Sequence, residues 1–131
     1  MLKFPVFLSA ILISLSIASC KSSISPDELY GKWNYVKVEQ PSEDPPVTDS
    51  AELRKQTASI EFFKNNDYAI NWGGKVLSHG HFTTSGRNIM IKEVLADNST
   101  REFPFWVTEL SDNRIVFNTK GENRSIVTAA K

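Results

Sequence analysis

The tightest constraint on the fold is a pair of apolar alternations joined by a turn. Ala58, Ile60 and Phe62 share one face of a segment from Thr57 to Lys64, and Tyr68, Ile70 and Trp72 share one face of the next, Asp67 to Trp72. Successive side chains of a strand point to opposite faces, so a period of two gives each segment one buried and one solvated side. Asn65-Asn66-Asp67 tolerates positive φ and closes these two into a hairpin. Gly73-Gly74 then turns the chain again into Lys75 to Thr84.

The same grammar runs through the rest of the chain. Lys32 to Glu39 precedes the hairpin; Asn88 to Leu95, Arg101 to Leu110, Arg114 to Thr119 and Arg124 to Ala129 follow it, separated by Ser85-Gly86, Asp97-Asn98-Ser99, Ser111-Asp112-Asn113 and Gly121-Glu122-Asn123. Short strands at intervals of roughly ten residues mark an all-β domain, and short connections make sequence neighbours spatial neighbours. Eight such antiparallel strands remove their edges by closing on themselves, which predicts an up-and-down barrel.

Two interruptions are helical. Ser25 followed by Pro26-Asp27-Glu28 combines an N-cap, proline in the first turn and acids at the positive end of the dipole, so a short N-terminal helical turn is expected through Tyr30, ended by Gly31. Between the first and second strands, Gln40 to Gln56 is a loop rich in proline, and Asp49-x-x-Glu52 reads as a capping box opening a short helix able to cover a barrel end. Pro104 cannot donate to a ladder, so its strand should bulge or face a gap, leaving the barrel imperfectly closed.

An eight-stranded barrel is just wide enough to be filled by side chains or to hold one small ligand. The inward set is bulky: Tyr35, Ile60, Phe62, Tyr68, Ile70, Trp72 and Phe82 from the first half, with Ile89, Ile91, Phe105, Val107, Ile115 and Phe117 from the second. A filled core and a usable cavity are both compatible with it. Any cavity would be lined by the aromatics Tyr35, Phe62, Tyr68, Trp72, Phe82, Phe105 and Phe117.

Candidate chemistry is sparse. His79 and His81 lie two apart on one strand face and would begin a zinc site, but the stripe Val76, Ser78, Gly80 and Phe82 is the inward one, which leaves both imidazoles outside and no third ligand fixed. No metal and no cofactor are expected. Glu93 or Glu102 would face inward as an acid or lie in solvent. No nucleophile elbow and no phosphate-cradling glycine loop occur, so no enzyme is expected.

The N-terminus carries Lys3, an apolar run from Phe4 to Ile17 and the small residues Ala18-Ser19 before Cys20, the pattern of a secretion signal. At about 1.5 Å per residue that run is short for a hydrocarbon core of about 30 Å. Ile17-Ala18-Ser19-Cys20 resembles the lipobox of bacterial lipoproteins, which implies cleavage after residue 19, acylation of Cys20 and attachment to a membrane through its acyl chains. The organisation is then a signal peptide over 1–19, a lipidated tether over 20–26 and one barrel domain over 27–131. Removing 19 of 131 residues leaves 112, enough for one domain. It also removes Lys3 and no acid from a balance of 15 basic and 15 acidic residues, so neither sign dominates and nucleic acid is not an expected partner. Cys20 is the sole cysteine, and no disulfide is available.

Leu29-Tyr30-Gly31-Lys32-Trp33 resembles the Gly-x-Trp start of lipocalins. The chain is more closely similar to small lipocalin-like lipoproteins of Gram-negative bacteria, whose first hairpin is matched by Ile60-Glu61-Phe62-Phe63-Lys64 with Tyr68. The likeness spans roughly residues 27 to 129, without a second signature, a disulfide or a C-terminal helix. It implies that Gly31 and Trp33 plug the closed barrel end with a late arginine, Arg124, lying across the indole. It also implies an outer-membrane lipoprotein that binds a small apolar ligand or an envelope protein; the alternative is a structural or interaction module with a filled core. Asp49-Ser50-Ala51 matches an acceptor pattern for O-glycosylation of exported bacterial proteins, but three residues recur by chance and Ser50 or Asp49 reads more simply as the cap of the short helix.

Overall fold

The computed structural model describes residues 23–121 and 123–131, so the expected signal peptide over 1–19 and Cys20 lie outside the described residues. Its strands are β1 (Gly31–Glu39), β2 (Val47–Thr48), β3 (Ser59–Phe62), β4 (Asp67–Trp72), β5 (Lys75–Ser85), β6 (Asn88–Val94), β7 (Thr100–Leu110), β8 (Arg114–Thr119) and β9 (Ile126–Ala130), with helix α1 (Ser50–Lys55) and a 3-10 turn at Pro26–Glu28. All neighbours are antiparallel. The sheet runs in chain order from β3 to β9 and closes because β1 pairs with β3 on one edge and with β9 on the other. This is the expected eight-stranded barrel, with β2 as an addition: the proline-rich loop returns to pair Val47 and Thr48 with the end of β1.

The period-two hairpin forms in the register its apolar faces require. Ile60 lies opposite Ile70 and Phe62 opposite Tyr68, so one face of each strand is buried together. Asn66 takes the left-handed conformation (φ 66°) that the tight connection needs.

The two helical elements start as their sequences specify. Glu28 accepts from the Ser25 backbone N–H at 2.8 Å, and Asp49 accepts from the Glu52 N–H at 3.0 Å. The second capping box is half made, because the Glu52 carboxylate accepts from the Gln56 amide four residues on. α1 patches the barrel wall beside β1. There β3 is only four residues long; the Tyr35 N–H donates to Ala58 and the Gly73 N–H to Gln56, and Leu53 is fully buried.

Two local deviations correct the strand reading. Between Ile70 and Asn71 the β4–β5 register shifts, Ser78 facing Ile70 but Val76 facing Asn71. The extra residue, Leu77, breaks the alternation. Val76 is therefore 58 % exposed on the outer surface, while Ser78, Gly80 and Phe82 keep their inward side. At Pro104 the expected gap is present: β8 reaches only as far as Phe105, opposite Thr119, and Thr100–Pro104 pairs with β6 alone. The strand's bulge lies further on, between Val107 and Glu109.

The lower half of the barrel is solid. Trp33, Ile60, Phe62, Phe82, Ile89, Val107 and Ile115 are each at most 1 % exposed, and Phe62 meets the Phe82 ring edge-on at 4.9 Å. The segment before β1 crosses beneath them. Ile24 and Leu29 are buried there, the Ile24 N–H donates to Gly86 in the β5–β6 turn, and the Trp33 indole N–H donates to the Leu29 carbonyl at 2.8 Å.

Candidate ligand site at the open barrel end

The end opposite Trp33 is not filled. β1, β4 and β8 finish there and β5 and β9 begin, around an open-mouthed cavity of about 490 Å³. Its floor is aromatic: Phe105 and Phe117 stack at 4.9 Å and 29°, and Tyr35 meets Phe117 edge-on at 6.4 Å. Val38, Ile70, Trp72 and Leu77 form apolar walls, and Gln40, Thr48, Thr119 and Ser125 form the rim.

Of the seven aromatics expected to line a cavity, four do: Tyr35, Trp72, Phe105 and Phe117. Phe62, Tyr68 and Phe82 are packed in the core outside this lining. The cavity sits high in the barrel because the bulky lower layers meet across the axis. Leu77 joins the lining through the bulge that turns Val76 outward, a displacement invisible to alternation alone.

Three of the four rim polar residues bind one another. Gln40 donates to Ser125 Oγ at 3.3 Å, and the Ser125 N–H donates to Thr119 Oγ1 at 2.8 Å. Among the described residues no charged one lines the cavity.

Glu93 does face inward, whereas Glu102 is exposed. Tyr68, Gly80, Glu93 and Arg101 occupy one level across four strands, because each lies opposite the next in register. The Tyr68 hydroxyl and Ser78 Oγ are 2.8 Å apart, Ser78 Oγ donates to Glu93 Oε2 at 2.5 Å, and Arg101 donates to Glu93 Oε1 at 2.6 Å. Burial pushes the Tyr68 phenol above its ordinary value, against the opposing pull of the Ser78 hydrogen bond. Guanidinium has no acceptor and does not deprotonate in proteins, so this is an ion pair of the wall and not an acid–base couple. A glycine at position 80 is required: a Cβ there would stand 2.0 Å from the Lys92 carbonyl oxygen.

The histidines are on the outer face. His81 Nδ1 is 2.5 Å from Asp67 Oδ1, and His79 is exposed. Among the described residues no group of three or more His, Cys, Asp or Glu is placed to hold a metal ion.

At the closed end, the cation over Trp33 is not the expected arginine. Lys131 Nζ lies 4.6 Å from the indole centroid and donates to the Tyr30 carbonyl at 2.9 Å. Arg124 is exposed in the connection before β9. The antiparallel register explains the exchange: β9 enters at the open end and reaches the Trp33 end only at Ala130, opposite Asn34.

No family model matches this chain, and no curated protein resembles it in sequence. The fold rests on the barrel itself, and the site on the chemistry of its mouth. Among the described residues no helix is long and apolar enough to cross a membrane.

Proposed function

We propose that this is a lipid-anchored envelope protein whose barrel mouth binds a small apolar ligand without chemical conversion. The observation that carries the reading is the cavity of about 490 Å³, apolar-walled and without a charged residue among the described ones of its lining, above a packed floor. Specific small-molecule sites have this form: a concave, mostly apolar space of a few hundred Å³ with a few polar groups at defined places. The lipobox residues Ile17 to Cys20 support attachment to the membrane, and two or three acyl chains, at about 0.8 kcal/mol per buried methylene, hold a protein nearly permanently. In a Gram-negative cell the outer membrane is the proposed location.

The test is titration of the mature chain with apolar compounds and an environment-sensitive dye, following tryptophan emission and the thermal midpoint together. Trp72, in the cavity wall, is the reporter. A ligand of the folded state raises the midpoint by mass action. If no apolar compound moves either signal, ligand binding is lost as the function. The interaction module is then the better reading, and its candidate surface is the outer strip of Phe63 and Val76, exposed by 39 and 58 %.

A further inference from the structure

The chain has three tyrosines, and only one has an unmet hydroxyl. Tyr30 donates to Asn66 at 2.8 Å and Tyr68 meets Ser78 at 2.8 Å. Tyr35 is 7 % exposed and lines the cavity floor, yet among the described residues nothing hydrogen-bonds its hydroxyl. Burial alone drives its phenol far above the ordinary value. Its position is built: Tyr35 sits at the bulge where the β1–β9 register shifts, and the Phe117 ring supports it edge-on. The other two floor aromatics are phenylalanines, and the rim groups Gln40, Thr119 and Ser125 are engaged with one another. The hydroxyl faces the pocket, where water reaches it; a hydrocarbon that displaces that water leaves it unmet, so a ligand that supplies a hydrogen bond gains at that point what a pure hydrocarbon does not.

We infer that the Tyr35 hydroxyl is the polar anchor of the mouth, and that the ligand is an uncharged apolar molecule carrying one hydrogen-bonding group, such as an alcohol, ketone or ester, bound polar end first. This rests on the reading that the mouth takes a ligand. The charge assignment follows from the lining. An ionised carboxylate drawn down to Tyr35 would lose its hydration beside no cation, a cost that one phenol does not offset.

A set of probes of equal chain length separates the possibilities: an alkane, the primary alcohol, the methyl ketone and the ionised carboxylate, each competing with a bound dye. The barrel's hydrogen-bonded ring closes within residues 24–131, so the mature chain with Cys20→Ser serves as test protein. Alcohol and ketone should bind about two- to tenfold tighter than the alkane, the value of one neutral hydrogen bond. Tyr35→Phe should abolish that preference, leave alkane affinity unchanged and not lower the thermal midpoint, since it removes an unpartnered polar atom. A preference that survives Tyr35→Phe overturns the inference, as does a carboxylate that binds best. If dye and all four probes fail to bind the folded protein, the mouth is not a ligand site and the proposed function falls with the anchor. Equal binding of all probes sinks the anchor alone.

Discussion

Lys131 Nζ lies 4.6 Å from the centroid of the Trp33 indole, so the chain's last residue covers the ring that the first strand buries at the closed end. The two contribute unequally. Trp33→Ala should cost about 3–5 kcal/mol as a large buried aromatic, and Lys131→Ala about 0.5–1 kcal/mol as an exposed cation–π contact. Arg124→Ala should change nothing measurable. Urea denaturation of the three variants checks this ordering, and a cost at Arg124 equal to that at Lys131 would contradict it.

Arg101 is largely exposed, but its partner Glu93 is not: their side chains are 63 and 11 % exposed. Removing the arginine strands a carboxylate, whereas removing both charges does not. Arg101→Ala should therefore lose about 1–3 kcal/mol, and adding Glu93→Gln should restore part of it. A double-mutant cycle in urea gives the coupling; a double variant less stable than Arg101→Ala would refute the pairing as a stabilising one.

Gly80→Ala places a methyl carbon 2.0 Å from the Lys92 carbonyl oxygen, a backbone atom that cannot move without breaking the β5–β6 ladder. Gly74, where nothing lies within 4 Å of the added carbon, is the control for space, although its positive φ of 77° brings some strain. Circular dichroism should show Gly80→Ala losing far more thermal stability than Gly74→Ala.

Alkali should unfold the barrel through two phenols. Tyr35 and Tyr68 are both held above the ordinary value of 10 by burial, so above that pH the unfolded chain releases protons that the folded chain keeps. Stability is complete below pH 10 and falls as pH climbs towards the raised values. Tyr35→Phe should shift the alkaline unfolding midpoint upward in a pH titration followed by circular dichroism. An unchanged midpoint in both Tyr35→Phe and Tyr68→Phe would show that other groups govern the transition.

The barrel was legible because its signal repeats: each alternating segment and each Asn, Asp or Gly turn points to the same antiparallel meander, and a misplaced boundary does not change the topology. Side-chain destinations were less so wherever register, rather than alternation, decides them. Leu77 is one residue too many on β5, and its bulge sends Val76 to the surface. Arg124 fits the expected arginine in residue type, but β9 runs away from the open end and delivers Lys131 instead. Glu93 and Glu102 were the two carboxylates with an inward candidacy, and only the cross-strand level of Gly80 and Arg101 distinguishes the first from the second. The unpartnered Tyr35 hydroxyl has no sequence signature, because it depends on what every neighbour fails to offer.

If Cys20 carries the anchor, the barrel mouth should face away from the bilayer. Three residues, hence four Cα–Cα steps, separate Cys20 from Ile24, whose backbone and side chain are fixed beneath the closed end, and a chain of that length spans at most about 14 Å. The nine-residue β1, at about 3.3 Å per residue and a tilt near 40°, puts the rim about 20 Å from that end. An inverted barrel would hold Ile24 further above the membrane than the tether reaches. The check uses the lipidated protein in vesicles whose headgroups carry a quencher. With the Cys20 sulfur occupied, Asp112→Cys in the closed-end turn or Glu43→Cys at the rim supplies the sole reactive thiol for a fluorescent label. Quenching should be several-fold stronger at position 112. Inserting a flexible linker of about 20 residues before Ser23, with a mean reach of about 25 Å, should erase the difference. An unmodified Cys20 on intact-mass analysis would remove the anchor itself. Lipid on Cys20 with the rim label quenched more would leave the anchor standing and reverse the orientation.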